Sequence, residues 1–252
     1  MTQSTPHVPE PMPEPSPEPT PRPRPARATA TAGEPGPLRR SVAQHIKILQ
    51  DGYARDGSQA VQALARLRRG IGRQANELPE LWGIVGIEGF YAAQPDGRHP
   101  SEYEALRAER ATHVAMTLWA LHQQSNRARA MHVGDGTSLG AAVRRLMSGS
   151  DRDEAIHKRL VRAGTATSFD VLAHRLRELV VLLRKAEIPL DYGLLAEQLD
   201  EWQKPGGPRV VRQAWGRSFH AYRPAVVGGQ QDGDSREETD NGITEYEMKD
   251  QT

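Results

Sequence analysis

The chain has 252 residues, 33 Lys+Arg against 32 Asp+Glu, and no cysteine. That length allows one large domain or two small ones with a real core, and the missing cysteine excludes disulfides, thiolate zinc sites and thiol catalysis. No apolar run approaches the roughly 18 residues a membrane span needs and the first residues lack a signal peptide's apolar stretch, so a cytoplasmic protein is expected.

Met1 to Pro37 holds 12 of the 19 prolines, many alternating with Glu or Arg. Proline cannot supply the ladder or helix hydrogen bonds, so residues 1–37 are expected to form a disordered tail. The stretch 38–223 reads as helix almost throughout, in two lobes of about 38–130 and 135–223. Ser58 to Gly70 is expected to turn Val61, Leu64 and Ile71 inward. Trp82 to Ile87 is the only short strand candidate. Ser101 and Glu104 have capping-box spacing, and Tyr103, Leu106, Val114, Leu118 and Leu121 then trace one stripe.

Asp135-Gly136 marks a turn, after which Leu139, Ala142, Val143 and Leu146 recur at helical spacing. Thr167-Ser-Phe-Asp170 opens a stronger helix that carries Phe169, Leu172, Leu176, Leu179, Val180 and Leu183 on one face; Pro189 ends it. Asp191 is placed to cap a helix with Leu195, Leu199 and Trp202. Past the break at Pro205-Gly-Gly-Pro208, Val211, Ala214, Trp215 and Tyr222 line the last helix. Residues 224–252 carry 2 basic and 8 acidic side chains and are expected to be an acidic disordered tail. The fold class is thus all-α, a helical bundle with disordered tails.

Charge is unevenly spread along this plan. Between Leu38 and Arg223, 28 basic residues face 20 acidic ones, and 24 of the 28 are arginine. Arginine offers a planar fork of donors that matches phosphate, so an arginine-rich body points to polyanions, most often nucleic acid. Arg66, Arg69 and Arg73 fall on the face opposite the stripe of their helix, with Arg68 at its edge. Gly70 and Gly72 are placed to end that helix early, which would move Arg73 onto a loop. Arg144 and Arg145 splay to either side of theirs, Lys158, Arg159 and Arg162 crowd one side of another, and Arg177 and Arg184 share a flank. The plainer reading is a set of solvated faces paired with nearby carboxylates, and it is weaker for the set because the body has eight cations in excess. Arg107 and Arg110 lie close to an apolar stripe and are expected to pair internally, with Glu104 or Glu109.

No catalytic machinery is visible. The body's eight histidines include no His-Glu-x-x-His and no metal-spaced cluster, so neither a metal nor another cofactor is expected. His113, His122, His132, His157 and His174 read as polar packing residues. Gly134-Asp-Gly136 lacks the preceding strand and the Lys-Ser/Thr of a phosphate loop, and no Gly-x-Ser-x-Gly elbow occurs. A helix-turn-helix transcription regulator is the alternative, although no compact helix, glycine turn and recognition helix is found. Three phenylalanines make a poor stacking platform for single strands. A third reading is an assembly adaptor whose arginines face acidic protein surfaces.

Taken in order, several segments resemble the CasB family, the small subunit of the type I-E CRISPR Cascade complex. They are Ala65-Arg-Leu-Arg-Arg-Gly70, Thr117-Leu-Trp-Ala-Leu-His-Gln-Gln-Ser125, and Met131-His132 followed by Ser138-Leu-Gly140 and Arg144-Arg-Leu146. Leu172-Ala-His-Arg-Leu-Arg177, Ile188-Pro-Leu-Asp-Tyr192 and the span from Trp202 to Gly216 continue the series. The resemblance covers roughly Ser41 to Tyr222, and Val133 departs from it where a basic residue is expected.

The resemblance implies a non-enzymatic, all-helical subunit of an antiviral complex, present as two copies arranged head to tail. Its partners would be the large subunit, the backbone subunits, the guide RNA, and the target and displaced DNA strands. Arg66, Arg68 and Arg69 match the family's basic Leu-Arg-Arg-Gly region, and Arg144 and Arg145 its arginine pair. With Arg73, Arg159, Arg162 and Arg177 they make up the expected nucleic-acid-binding set.

Overall fold

A computed structural model of the chain describes residues 34–94, 98–147 and 152–223. The expected tails 1–37 and 224–252 lie almost wholly outside the described residues. The described residues from Gly36 to Arg223 belong to one compact unit.

Nine α-helices and two short 3-10 turns carry the described residues, among which there is no strand. Helix α1 is Pro37–Ala54, α2 Ser58–Arg69, α3 Glu88–Ala92, α4 Glu102–Gln123 and α5 Leu139–Leu146. Helix α6 is Asp153–Gly164, α7 Phe169–Lys185, α8 Tyr192–Trp202 and α9 Gly207–Ala221. The strand candidate Trp82–Ile87 is a run of turns. Gly83 and Gly86 both take positive φ, +71° and +77°, which breaks the extended path a strand needs.

Helix α4 is the axis. It packs on α1, α2, α7 and α8, so its second half is buried on nearly every side. Of the expected stripe, Leu118 is buried and Val114 and Leu121 are half-buried, but Tyr103 and Leu106 are exposed, whereas Ala108, Ala111, Ala115, Met116, Trp119 and Ala120 are fully buried. Small alanines let four neighbouring helices approach closely, and an apolar-stripe reading passes over them. The Ser101–Glu104 capping box is formed at the solvent-facing start of the helix.

In α7 and α8 the expected stripes are the buried ones, from Phe169 to Leu183 and from Leu195 to Trp202. Asp191 caps α8 by accepting from Leu194 N at 2.8 Å, and its second oxygen accepts from Arg39 at 2.8 Å. That carboxylate is almost fully buried, so Arg39 belongs to the fold: it neutralises a buried cap that would otherwise be unpaired. In α2 the inward residues are Ala60, Leu64 and Leu67; Val61 and Ile71 are only half-buried.

Met131 to Val133 threads between helices without being one. The Gln123 amide accepts from Met131 N at 2.9 Å and donates to the carbonyls of Asn126 and Arg129. The Gln50 amide accepts from His132 N at 3.0 Å and donates to its carbonyl at 3.3 Å. Beyond them, Leu190 N donates to Met131 O and Val133 N to Leu190 O. The expected lobes 38–130 and 135–223 contribute to one continuous core, which runs from Leu38 to Trp215.

Candidate nucleic-acid interface

The first arginine group sits at the end of α2. Its buried Ala60, Leu64 and Leu67 leave Arg66 and Arg69 exposed, with Arg68 half-buried at the edge. The helix stops at Gly70, and Gly72 (φ +78°) swings the chain so that Arg73 stands on a turn. Two features hold this end in place. A Cβ at Gly70 would stand 2.8 Å from the Leu81 side chain and 3.1 Å from that of Thr117, so a larger residue there would have to displace them. His113 of α4 is hydrogen-bonded to the carbonyls of Gly70 at 3.2 Å and Arg73 at 3.0 Å. Both partners are acceptors, so Nε2 carries the proton and donates. Burial pushes this imidazole's pKa down, which keeps it neutral.

The second group lies where α5, α6 and α9 meet. Gly140 of α5 seats against the α9 backbone: a Cβ there would stand 2.0 Å from Trp215 O. This contact brings the Arg144 guanidinium over the Phe219 ring, 5.6 Å from its centroid, with His157 of α6 5.5 Å away on the same ring. Arg212 of α9 lies over Gly164 of α6, donating to its carbonyl at 3.2 Å. His157 and Gly164 therefore mark the side of α6 that faces α9. Helical register puts Arg159 and Arg162 on a different side of α6. Arg162 is exposed and Arg159 half-buried, donating to Ala155 O at 3.1 Å. Arg145 is exposed on α5.

Arg177 of α7 meets the first group at Arg73 and is set apart from the second. With Arg73, Arg110, His113 and Trp82 it lines a groove of about 790 Å³ between α4, α7 and the segment after α2. Glu77, Glu109 and Asp170 also line it, so its charge is mixed. The expected set is thus dispersed: α2 packs on α1 and α4, whereas α5 and α6 pack on α7 and α9.

Of the nine expected arginines, only Arg73 has a carboxylate within ion-pair distance among the described residues, Glu77 at 3.7 Å, and both are exposed. Fold-serving arginines behave differently. Arg107 is buried, 3.7 Å from Asp200, and Arg110 lies 3.4 Å from Asp170 and over Phe169. Both pair across helices, not with Glu104 or Glu109. Arg184, on the flank shared with Arg177, donates to Gln124 at 3.4 Å. Arg212 was missed in the sequence; its signal was a position next to Val211, off the α9 stripe. Among the described residues no group of three His, Asp or Glu could hold a metal ion, and no helix is long and apolar enough to cross a membrane.

The profile of the CRISPR-associated protein Cse2 family matches residues 63–220. The chain belongs to the Cse2/CasB family. CasB from Thermobifida fusca shares 46% identity at a TM-score of 0.67, covering 75% of this chain and 100% of that one. CasB from Thermus thermophilus shares 25% at 0.53, over 73% and 98%. A chain of a CRISPR RNA-guided surveillance complex, 20% identical at a TM-score of 0.51 over 71% and 95%, shares the fold. Comparison with curated proteins finds no match. The Cse2 match runs from the second half of α2 through α9 and contains all nine arginines.

Proposed function

We propose that this Cse2-family chain is a non-catalytic subunit of an RNA-guided surveillance complex that grips nucleic-acid backbone. The observation that carries the reading is the contrast among its arginines. Those serving the fold are paired or buried, whereas eight of the nine expected ones lack a carboxylate among the described residues. Guanidiniums held on rigid helices bind phosphate without reading bases. The guide supplies sequence, and exchanging one duplex for another is nearly balanced in energy, so a few backbone contacts can hold the guide–target region and the displaced strand. Its partners on this reading are the large subunit, the backbone subunits, the guide RNA, both DNA strands and a second copy of itself. Trp82, 73% exposed, with Leu106 and Tyr103, offers apolar area for the protein contacts.

The test is target binding by the assembled complex carrying Arg66→Ala with Arg69→Ala, or Arg144→Ala with Arg145→Ala. Each pair should weaken binding alike for every guide–target sequence, and the log–log salt slope should flatten by roughly 0.7 per lost single-strand contact. Loss confined to particular sequences would overturn the reading and favour the transcription-regulator alternative. An unchanged salt slope would favour the pure adaptor.

A further inference from the structure

The seam of α5, α6 and α9 gathers cations beside the end of α9. Arg144 lies over Phe219, Arg212 covers Gly164 one side of a helix away, and Arg223 follows α9 directly, donating to His220 O at 3.0 Å. None of the three has a carboxylate within ion-pair distance among the described residues; they contact a ring and backbone carbonyls. Arg223 is followed at once by the 29 residues from Pro224 to Thr252, with 8 acidic and 2 basic side chains.

We propose that this acidic segment occupies the seam in the free protein and competes there with nucleic acid. The competition rests on the reading above; the docking itself does not. Phe219 and Arg212 are two turns of α9 apart, about 10 Å. A segment of this length reaches tens of ångströms at roughly 3.3 Å per residue, so reach imposes no limit. The tether holds the carboxylates near the seam at an effective concentration on the order of millimolar. Charge attraction falls off over about 8 Å at physiological salt, which favours the cations nearest Arg223 over the α2 group. A carboxylate meets a guanidinium in the same two-pronged way as a phosphate does. The segment therefore acts as a weak, displaceable stand-in for a sugar-phosphate strand.

The test compares the full chain with a full-length variant in which Asp232, Asp234, Glu237, Glu238, Asp240, Glu245, Glu247 and Asp250 become Asn or Gln. Binding of a dT oligonucleotide is measured from 50 to 500 mM salt. The neutralised chain should bind roughly three- to tenfold tighter at low salt, with the difference vanishing at high salt. Docking is read separately. Because the chain has no cysteine, Ser235→Cys gives a single site for a nitroxide label. The label should broaden amide resonances of α5, α6 and α9 around Arg144, Arg212 and Phe219, and the neutralised segment should not.

Equal affinities at every salt overturn the competition. Broadening that is absent, or centred on α2, overturns docking at the seam. Seam broadening with no oligonucleotide binding by either chain upholds docking while sinking the nucleic-acid reading.

Discussion

At the residue scale, the fate of each arginine depends on what its neighbours leave for it to do. Arg39 faces Asp191 in nearly dry surroundings, where removing one partner strands the other, whereas Asp200 beside Arg107 also has Lys204 at 3.5 Å. Arg39→Ala should therefore cost several kcal/mol, about 3, read as a lowered denaturant midpoint. Arg66→Ala should leave that midpoint within about 0.5 kcal/mol of the parent. Histidines set a second prediction. Burial, with Arg184 adding to it, pushes the His122 pKa down to about 4, from an ordinary value near 6.5. Burial lowers His113 and His132 as well. The unfolded chain then takes up protons that the folded chain refuses. Stability is complete above about pH 6.5 and declines as the pH falls towards 4, by up to about 3 kcal/mol for His122 alone. Urea titrations at pH 7 and 4.5 measure this decline, and His122→Gln should shallow it. Little of this pairing was legible in the sequence. Arg107 and Arg110 were recognised as internal, but Asp200 and Asp170, 93 and 60 residues away, are brought near only by packing between helices.

At the element scale, helices with one wet side were readable and the helix without one was not. Phe169, Leu172, Leu176, Leu179, Val180 and Leu183 announce α7 because branched and aromatic residues fill a single face. In α4 the fully buried positions include Ala111, Ala115 and Ala120, whose small size matters only once four neighbours surround them. Ala115→Leu should therefore cost roughly 1–3 kcal/mol by overpacking, although the sequence marks nothing special there. Gly140 presents a similar case. Its missing side chain lets α5 seat against Trp215 of α9. Gly140→Ala must push the two backbones apart, costing roughly 1–3 kcal/mol. It should also displace Arg144 from Phe219 and weaken oligonucleotide binding; Gly216→Ala, with open space around it, is the control. Thermal melts and binding isotherms of the two variants check both effects.

At the scale of the whole molecule, the fold tolerates a surplus of like charge that nothing in its core requires. The surplus was legible from composition, whereas its division among the end of α2, the α5–α6–α9 seam and the groove at Arg177 was not. That division follows from which helices touch. With the acidic segment neutralised, mutual repulsion among the unpaired guanidiniums should make the melting temperature rise by a few degrees between 50 and 300 mM salt, the opposite of a fold held by surface ion pairs. Scanning calorimetry in the two buffers decides it. The paired glutamine amides bear on a different property. Gln50 and Gln123 fasten the backbone of Met131 and His132, so a stretch with no helix of its own opens only when α1, α4 and the chain at Leu190 come apart. In heavy water the amide protons of Met131, His132 and Leu190 should therefore survive as long as those of α4, while the flanking Ala128 and Gly134 exchange within seconds.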